Sequence, residues 1–155
     1  MITLPLSCFG PIEEYVYLVK SDKVIYESKE HFVKQSYRNR CNIYGANGLL
    51  RLTVPLVLKS REKTAMENIK ISYAENWPAN HWKSIQSAYK NSPFFDYYEE
   101  LFLPIFLDEY DTLQNLNLKV LHAVKECLQI NCKTKLSETF KPYTENDLRL
   151  NIHPK

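Results

Sequence analysis

The first 27 residues restrict the fold more than any other part of the chain, because a strand, a helix and a second strand follow one another there almost without a gap. In "ITLPLSCF", Ile2, Leu4, Leu6 and Cys8 alternate with Thr3, Pro5 and Ser7, the period of a half-buried strand, and Pro5 assigns it to an edge or a strand start. "GPIEEYVYLVKSD" sets Pro11 at a first helical position and Glu13 and Glu14 in the first turn, where the helix dipole favours anions. Ile12, Tyr15, Val16 and Val19 then form one apolar stripe. "KVIYE" reads as the second strand. A strand–helix–strand unit makes two parallel neighbours of one sheet through a right-handed crossover, which places the chain in the α/β class.

Further on, "CNIYGANGLLRLTVPLVL" alternates Leu50, Leu52, Val54 and Leu56 with Arg51, Thr53 and Pro55, and Asn47-Gly48 supplies the positive φ angles of a tight hairpin turn. "GANG" lacks the G-x-x-x-x-G-K-[ST] spacing of a phosphate loop and opens no helix, so it is a turn. "NIKISY" puts Ile69, Ile71 and Tyr73 on one face of a short strand. From Trp77 the apolar period becomes helical, with Trp82, Ile85 and Tyr89 as the stripe of one helix. "NSPFF" ends it and starts another, with Ser92 as its cap and an interruption expected at Pro104. Asp111 and Gln114 resemble a capping box opening a long helix whose stripe is Leu113, Leu116, Val120, Val124 and Cys127. The expected architecture is one α/β domain over residues 1–155. Residues 1–75 form a mixed N-terminal sheet with a strand–helix–strand opening and a β-hairpin, 76–130 form a helical C-terminal half, and 131–155 form a polar tail packing lightly on it.

A net charge of +2 is too small for the long phosphate footprint of a nucleic-acid binder. No stretch reaches the ~18 apolar residues of a membrane span, and "MITLPLSCFGP" lacks the basic start and long apolar centre of a signal peptide. A cytoplasmic protein without nucleic-acid partners or membrane insertion is the expectation. Cys8, Cys41, Cys127 and Cys132 show neither C-x-x-C pairing nor a zinc spacing, so they read as reduced structural thiols and no metal is expected. No motif identifies a cofactor.

Chemistry concentrates in "KQSYRNRC", residues 34 to 41. If this stretch is extended, Lys34, Ser36, Arg38 and Arg40 share one face and Gln35, Tyr37, Asn39 and Cys41 the other. Three cations then line one side, suited to a carboxylate or a diphosphate. A solvated edge strand guarded by lysine and arginine is the other reading of the same residues. His81 and His31 have the intrinsic pKa for acid/base work, although isolated histidines are more often structural. Ser7 and Cys8 end the first strand, where binding crevices of open α/β sheets lie, and with Cys41 they are the candidate nucleophiles. Neither G-x-S-x-G nor a papain-like motif accompanies them. Asp96, Glu99 and Glu100 read as acids near the start of a helix.

"SCFGPIEEY", "EHFVKQSYRNRC" with "GANG" and "LTVPL" after it, and "HWKSIQSAYKNSPFFDYY" together resemble the WbqC-like family of bacterial proteins, in its shorter Bacteroidetes form, over most of residues 6 to 100. Two departures stand out. "SCFGP" occupies the place of a His-Gln-Pro stretch in longer relatives, and the chain looks truncated where they continue into a further C-terminal segment. The resemblance implies a role in surface polysaccharide synthesis of the O-antigen type. It also implies a polar site, which raises the anion-holding reading above the solvated edge. The expectation is an anionic sugar-nucleotide or acyl-donor substrate bound by Lys34, Gln35, Tyr37, Arg38, Asn39, Arg40 and Asn91, with His81 as the catalytic acid/base of a group transferase. The alternative is a non-catalytic binding or assembly protein that offers "SPFFDYYEELF" as an aromatic surface to a protein partner, a homodimer included.

Overall fold

The computed structural model describes residues 2–58 and 63–154, and in it the expected strand–helix–strand unit opens the chain. Strand β1 (Ile2–Leu4) leads through helix α1 (Ile12–Lys20) to β2 (Lys23–Tyr26), and the two strands pair in parallel with Ile2 opposite Val24 and Leu4 opposite Tyr26. Pro11 precedes the first turn of α1 and Lys20 closes its last, as the helix dipole favours. The buried face of α1 differs from the expected stripe. Ile12 and Val19 are 82% and 69% exposed, whereas Glu14 and Leu18 are buried. The polar residue type at 14 hides that face from a hydrophobic pattern.

Strands β3 (Arg40–Gly45) and β4 (Gly48–Thr53) form the expected antiparallel hairpin, in register from Arg40–Thr53 to Gly45–Gly48. The loop is Ala46-Asn47, and only Gly48 of the turn takes a positive φ, +103°. Short strands β5 (Leu56–Val57) and β6 (Lys70–Ile71) pair beside it. Three helices follow: α2 (Trp77–Tyr89), α3 (Phe95–Leu107) and α4 (Leu113–Cys127). Pro104 does not interrupt α3. The helix runs through it, with Asp108 N–H donating to the Pro104 carbonyl at 3.2 Å. Nor does Asp111 cap α4. Thr112 takes that place, its hydroxyl accepting from Asn115 N–H at 3.3 Å.

The expected tail is instead part of the sheet. Strand β7 (Lys133–Leu136) pairs in parallel with β2, giving the order β1-β2-β7 with β2 in the centre. Exposed Lys133 and Lys135 alternate with half-buried Thr134 and Leu136, an edge-strand pattern too short and too polar to stand out. Beyond it, residues 146–148 clasp the free edge of β1, through Thr3 N–H to the Asn146 carbonyl and Leu148 N–H to the Thr3 carbonyl. Helix α4 stands between two cores. Leu116, Val120 and Val124 pack toward Trp77, Ile105 and Phe106, while Leu121 packs toward Leu4, Leu18, Val24 and Ile152.

One side chain of α4 joins the parts. Fully buried Asn117 donates through Nδ2 to the Leu6 carbonyl at 2.9 Å and the Arg38 carbonyl at 2.7 Å, tying the segment after β1 to the segment before β3. Asn117→Ala is expected to lower stability in urea unfolding by roughly 2–4 kcal/mol, because two buried carbonyls lose their donor. An unchanged midpoint would mean that this tie is not a source of stability.

Candidate functional site

Residues 34–39 are a run of turns rather than a strand, and Gln35 sits at φ +58°. The shared cationic face therefore does not form. Lys34 and Gln35 are exposed, Ser36 and Arg38 are buried, and Tyr37, Asn39 and Arg40 are half-buried. Arg38, 2% exposed, turns inward to Glu30, donating Nε–H to Oε1 at 2.7 Å. The other oxygen of Glu30 accepts from Arg149 Nη1 at 3.2 Å. Arg149 is held in turn by Asp147, by the Lys141 carbonyl at 3.0 Å and by the face of Tyr143 at 4.4 Å. Ser137 and the backbone N–H of Lys29 occupy Glu27 alongside. Arg38 is thus one member of a buried ion-pair relay.

The rest of the stretch frames the turn after β1. The Tyr37 carbonyl accepts from Cys8 N–H at 2.9 Å, so "SCFGP" and "KQSYRNRC", read separately from sequence, lie side by side. Asn39 grips Val54 twice, through Nδ2 to its carbonyl at 3.1 Å and through its own carbonyl to Val54 N–H at 2.8 Å. Arg40 opens β3.

A cleft of about 380 Å³ opens beside this junction. Phe9 and Gly10 of the β1–α1 turn form one wall and Cys41, Asn42 and Ile43 of β3 a second. Trp82, Ile85 and Tyr89 of α2 face Phe95, Phe102 and Phe106 of α3 across it. Ring contacts build this wall: Trp82 lies 6.2 Å from Phe95 and 5.5 Å from Phe106, and Phe9 stacks on Phe106 at 6.2 Å. Asn91 is exposed in the α2–α3 connection, next to Ser92 and Pro93 at the mouth. His81 does not line the cleft. It borders a closed inner space of about 10 Å³ that shares Phe9, Cys41, Ile85 and Phe106 with it, and its ring meets Trp77 edge-on at 5.1 Å. Burial lowers its pKa, with the Thr53 backbone opposing. Arg38, Arg40 and His81 therefore do not gather on one wall.

The candidate nucleophiles are held protonated. Burial pushes the Cys8 thiol well up and the Cys41 thiol up to about 12. Sequence reasoning passed over Glu14, which looked like a dipole partner and is a buried acid. Its carboxyl lies against the β1–α1 turn, where a Cβ on residue 10 would stand 2.1 Å from Oε2, so Gly10 makes the room. Neither Glu14 Oε2 nor the Ser7 hydroxyl has a hydrogen-bond partner among the described residues. Burial lifts the Glu14 pKa from 4.5 to about 8, against the opposing pull of the Arg38 charge. Glu30 and Arg149 were missed because neither belongs to a local pattern.

The chain belongs to the WbqC-like protein family, whose profile matches residues 7–154 and so covers the helices and β7 as well as the motifs near the start. It is similar to the uncharacterized protein Rv1507c of Mycobacterium tuberculosis (strain ATCC 25618 / H37Rv), with 28% identity over 118 residues, 76% of this chain and 49% of that protein. The chain spans about half the length of the curated relative it matches. No solved structure matches it. Among the described residues no helix is long and apolar enough to cross a membrane.

Glu14 makes stability depend on pH. Between about pH 4.5 and 8 the unfolded chain has released the proton that the folded chain keeps, so stability falls as pH rises through that window and levels off above it. Glu14→Gln is expected to be more stable than wild type at pH 8, by roughly a few kcal/mol, with the difference vanishing toward pH 4. Thermal melts across that range check it; a variant that tracks wild type at every pH would show that Glu14 titrates normally.

Proposed function

We propose, from membership of the WbqC-like family and the position of the cleft, that this protein serves surface polysaccharide synthesis of the O-antigen type by binding an anionic small-molecule substrate and transferring a group to or from it. The observation that carries the reading is the meeting of four segments, the β1–α1 turn, β3, α2 and α3, around one cleft of ligand size. Arg40, directly before the cleft-lining Cys41 and Asn42, is the cation assigned to the anionic group, with Lys34, Gln35 and Asn91 as outer polar contacts. Arg38, Asn39 and Tyr37 act in this reading by fixing the turns that carry Arg40. His81, kept neutral by burial, is the acid/base candidate from the inner space adjoining the cleft. Calorimetric titration with UDP-glucose and acetyl-CoA is the test. At least one is expected to bind, and Arg40→Ala to weaken it roughly 10- to 100-fold with an unchanged melting temperature. Absence of binding by both, or an Arg40→Ala variant that melts early, would remove the anion site.

A second reading is favoured by the exposure of Phe94 and Tyr97, at 76% and 75%, on the α2–α3 connection and α3. Exposed rings of this kind suit a non-catalytic assembly protein with a protein partner, a second copy included. Light scattering separates the two readings: concentration-dependent dimers weakened by Phe94→Ala or Tyr97→Ala support assembly, and a strict monomer unaffected by either counts against a homodimer.

A further inference from the structure

The chemistry of the cleft wall restricts what can occupy it. Ring faces and a branched chain supply its inner surface, Phe9, Trp82, Ile85, Phe102 and Phe106 among them. Polar groups are few, and the most conspicuous is already engaged, because Glu99 Oε1 accepts from Gln86 Nε2 at 3.1 Å. The two thiols on the wall, Cys41 and Cys127, are shifted by burial toward their neutral forms. Such rings could stack the face of a sugar or a nucleobase, but with so few polar groups on the wall the hydroxyls or base edges buried there would lose their hydrogen bonds to water without replacement. A linear hydrocarbon chain gives up none and gains with each methylene buried.

Two of the four non-glycine residues with positive φ among the described residues lie at the cleft, the others being Gln35 and Gln129 elsewhere. Phe9 and Phe94 hold left-handed conformations, φ +52° and +65°, that aromatic residues rarely adopt. Phe9 is a wall of the cleft, and Phe94 directly precedes the wall residue Phe95. Such conformations persist where the surroundings fix them, and they cluster at ligand clamps. The stacked rings of Phe9 and Phe106 close the inner end, with only about 10 Å³ of space behind them.

We infer that the cleft receives a linear acyl chain of the substrate, with the anionic end left outside its apolar wall. The inference rests on the reading of the chain as a binder of an anionic small molecule, and it selects the acyl-linked class over the sugar nucleotide. Titration with hexanoate, octanoate and decanoate, with UDP as an anion lacking a chain, tests it. Affinity is expected to rise roughly three- to fourfold per added methylene until the cleft is full. Cys127→Trp, which fills the cleft from α4, and Ser92→Trp, at its exposed mouth, should each abolish that increment, with circular dichroism confirming the fold. Arg40→Ala should weaken all three acids by a common factor and leave the increment intact. Affinity independent of chain length overturns the inference, as does an increment that survives both tryptophan variants in folded protein. If the increment holds and Arg40→Ala changes nothing, the acyl cleft stands and the assignment of Arg40 falls.

Discussion

The carboxylate of Glu30 accepts from Arg38 on one oxygen and from Arg149 on the other, with all three side chains almost wholly removed from water. Stripping charges of their hydration costs several kcal/mol per ion, and geometry must recover it. Here the recovery is spread over Asp147, the Lys141 carbonyl and the ring of Tyr143 as well as the central pair. The relay crosses long distances in the chain, since Glu30 and Arg149 are 119 residues apart. It fixes where residues 30–38 turn, and through the Arg38 carbonyl it reaches Asn117 on α4. The β1–α1 turn, the approach to β3 and the C-terminal segment are all set by this one contact and its neighbours.

Local periodicity made much of the fold legible. The opening unit, the hairpin and the stripe of α4 repeat apolar residues at the spacing their structures need, and each forms. Misreadings arose where tertiary partners override local pattern. The apolar stripe Ile12–Val16–Val19 faces outward because α1 packs through Leu18 and the neutral acid of Glu14 instead. Pro104 stays inside α3, where the rings at Phe102 and Phe106 pack on either side of it in sequence. "KTKL" joins the sheet because β2 has an open edge to offer, something no window of four residues can announce.

The candidate site was legible in its parts and not in its assembly. "SCFGP", "KQSYRNRC" and "SPFF" were all marked by residue type, and the structure brings the first two against each other and the first and third onto one cleft. Charge, though, was a poor guide to which side chains face that cleft. Arg38 has a carboxylate waiting for it eight residues upstream, and a cation with a buried partner is withdrawn from ligand duty whatever its neighbours suggest. The rings that wall the cleft come from the β1–α1 turn, α2 and α3, and their convergence depends on how α2 and α3 close over β3.

The position of β7 has a consequence for how the chain reaches this state. Strand β2 meets its first neighbour within about one helical crossover, yet Tyr26 meets Leu136, on the other side, only after 110 residues. Until that segment has left the ribosome, "VIY" presents an unsatisfied, apolar backbone edge. Closing so long a loop in a parallel pairing is entropically late, and it belongs to the slow class of folding events. The nascent chain must therefore keep its most deeply buried strand half-paired until residues 133–136 emerge, which makes the order of emergence, rather than final stability, the point at which this fold is vulnerable to misassembly.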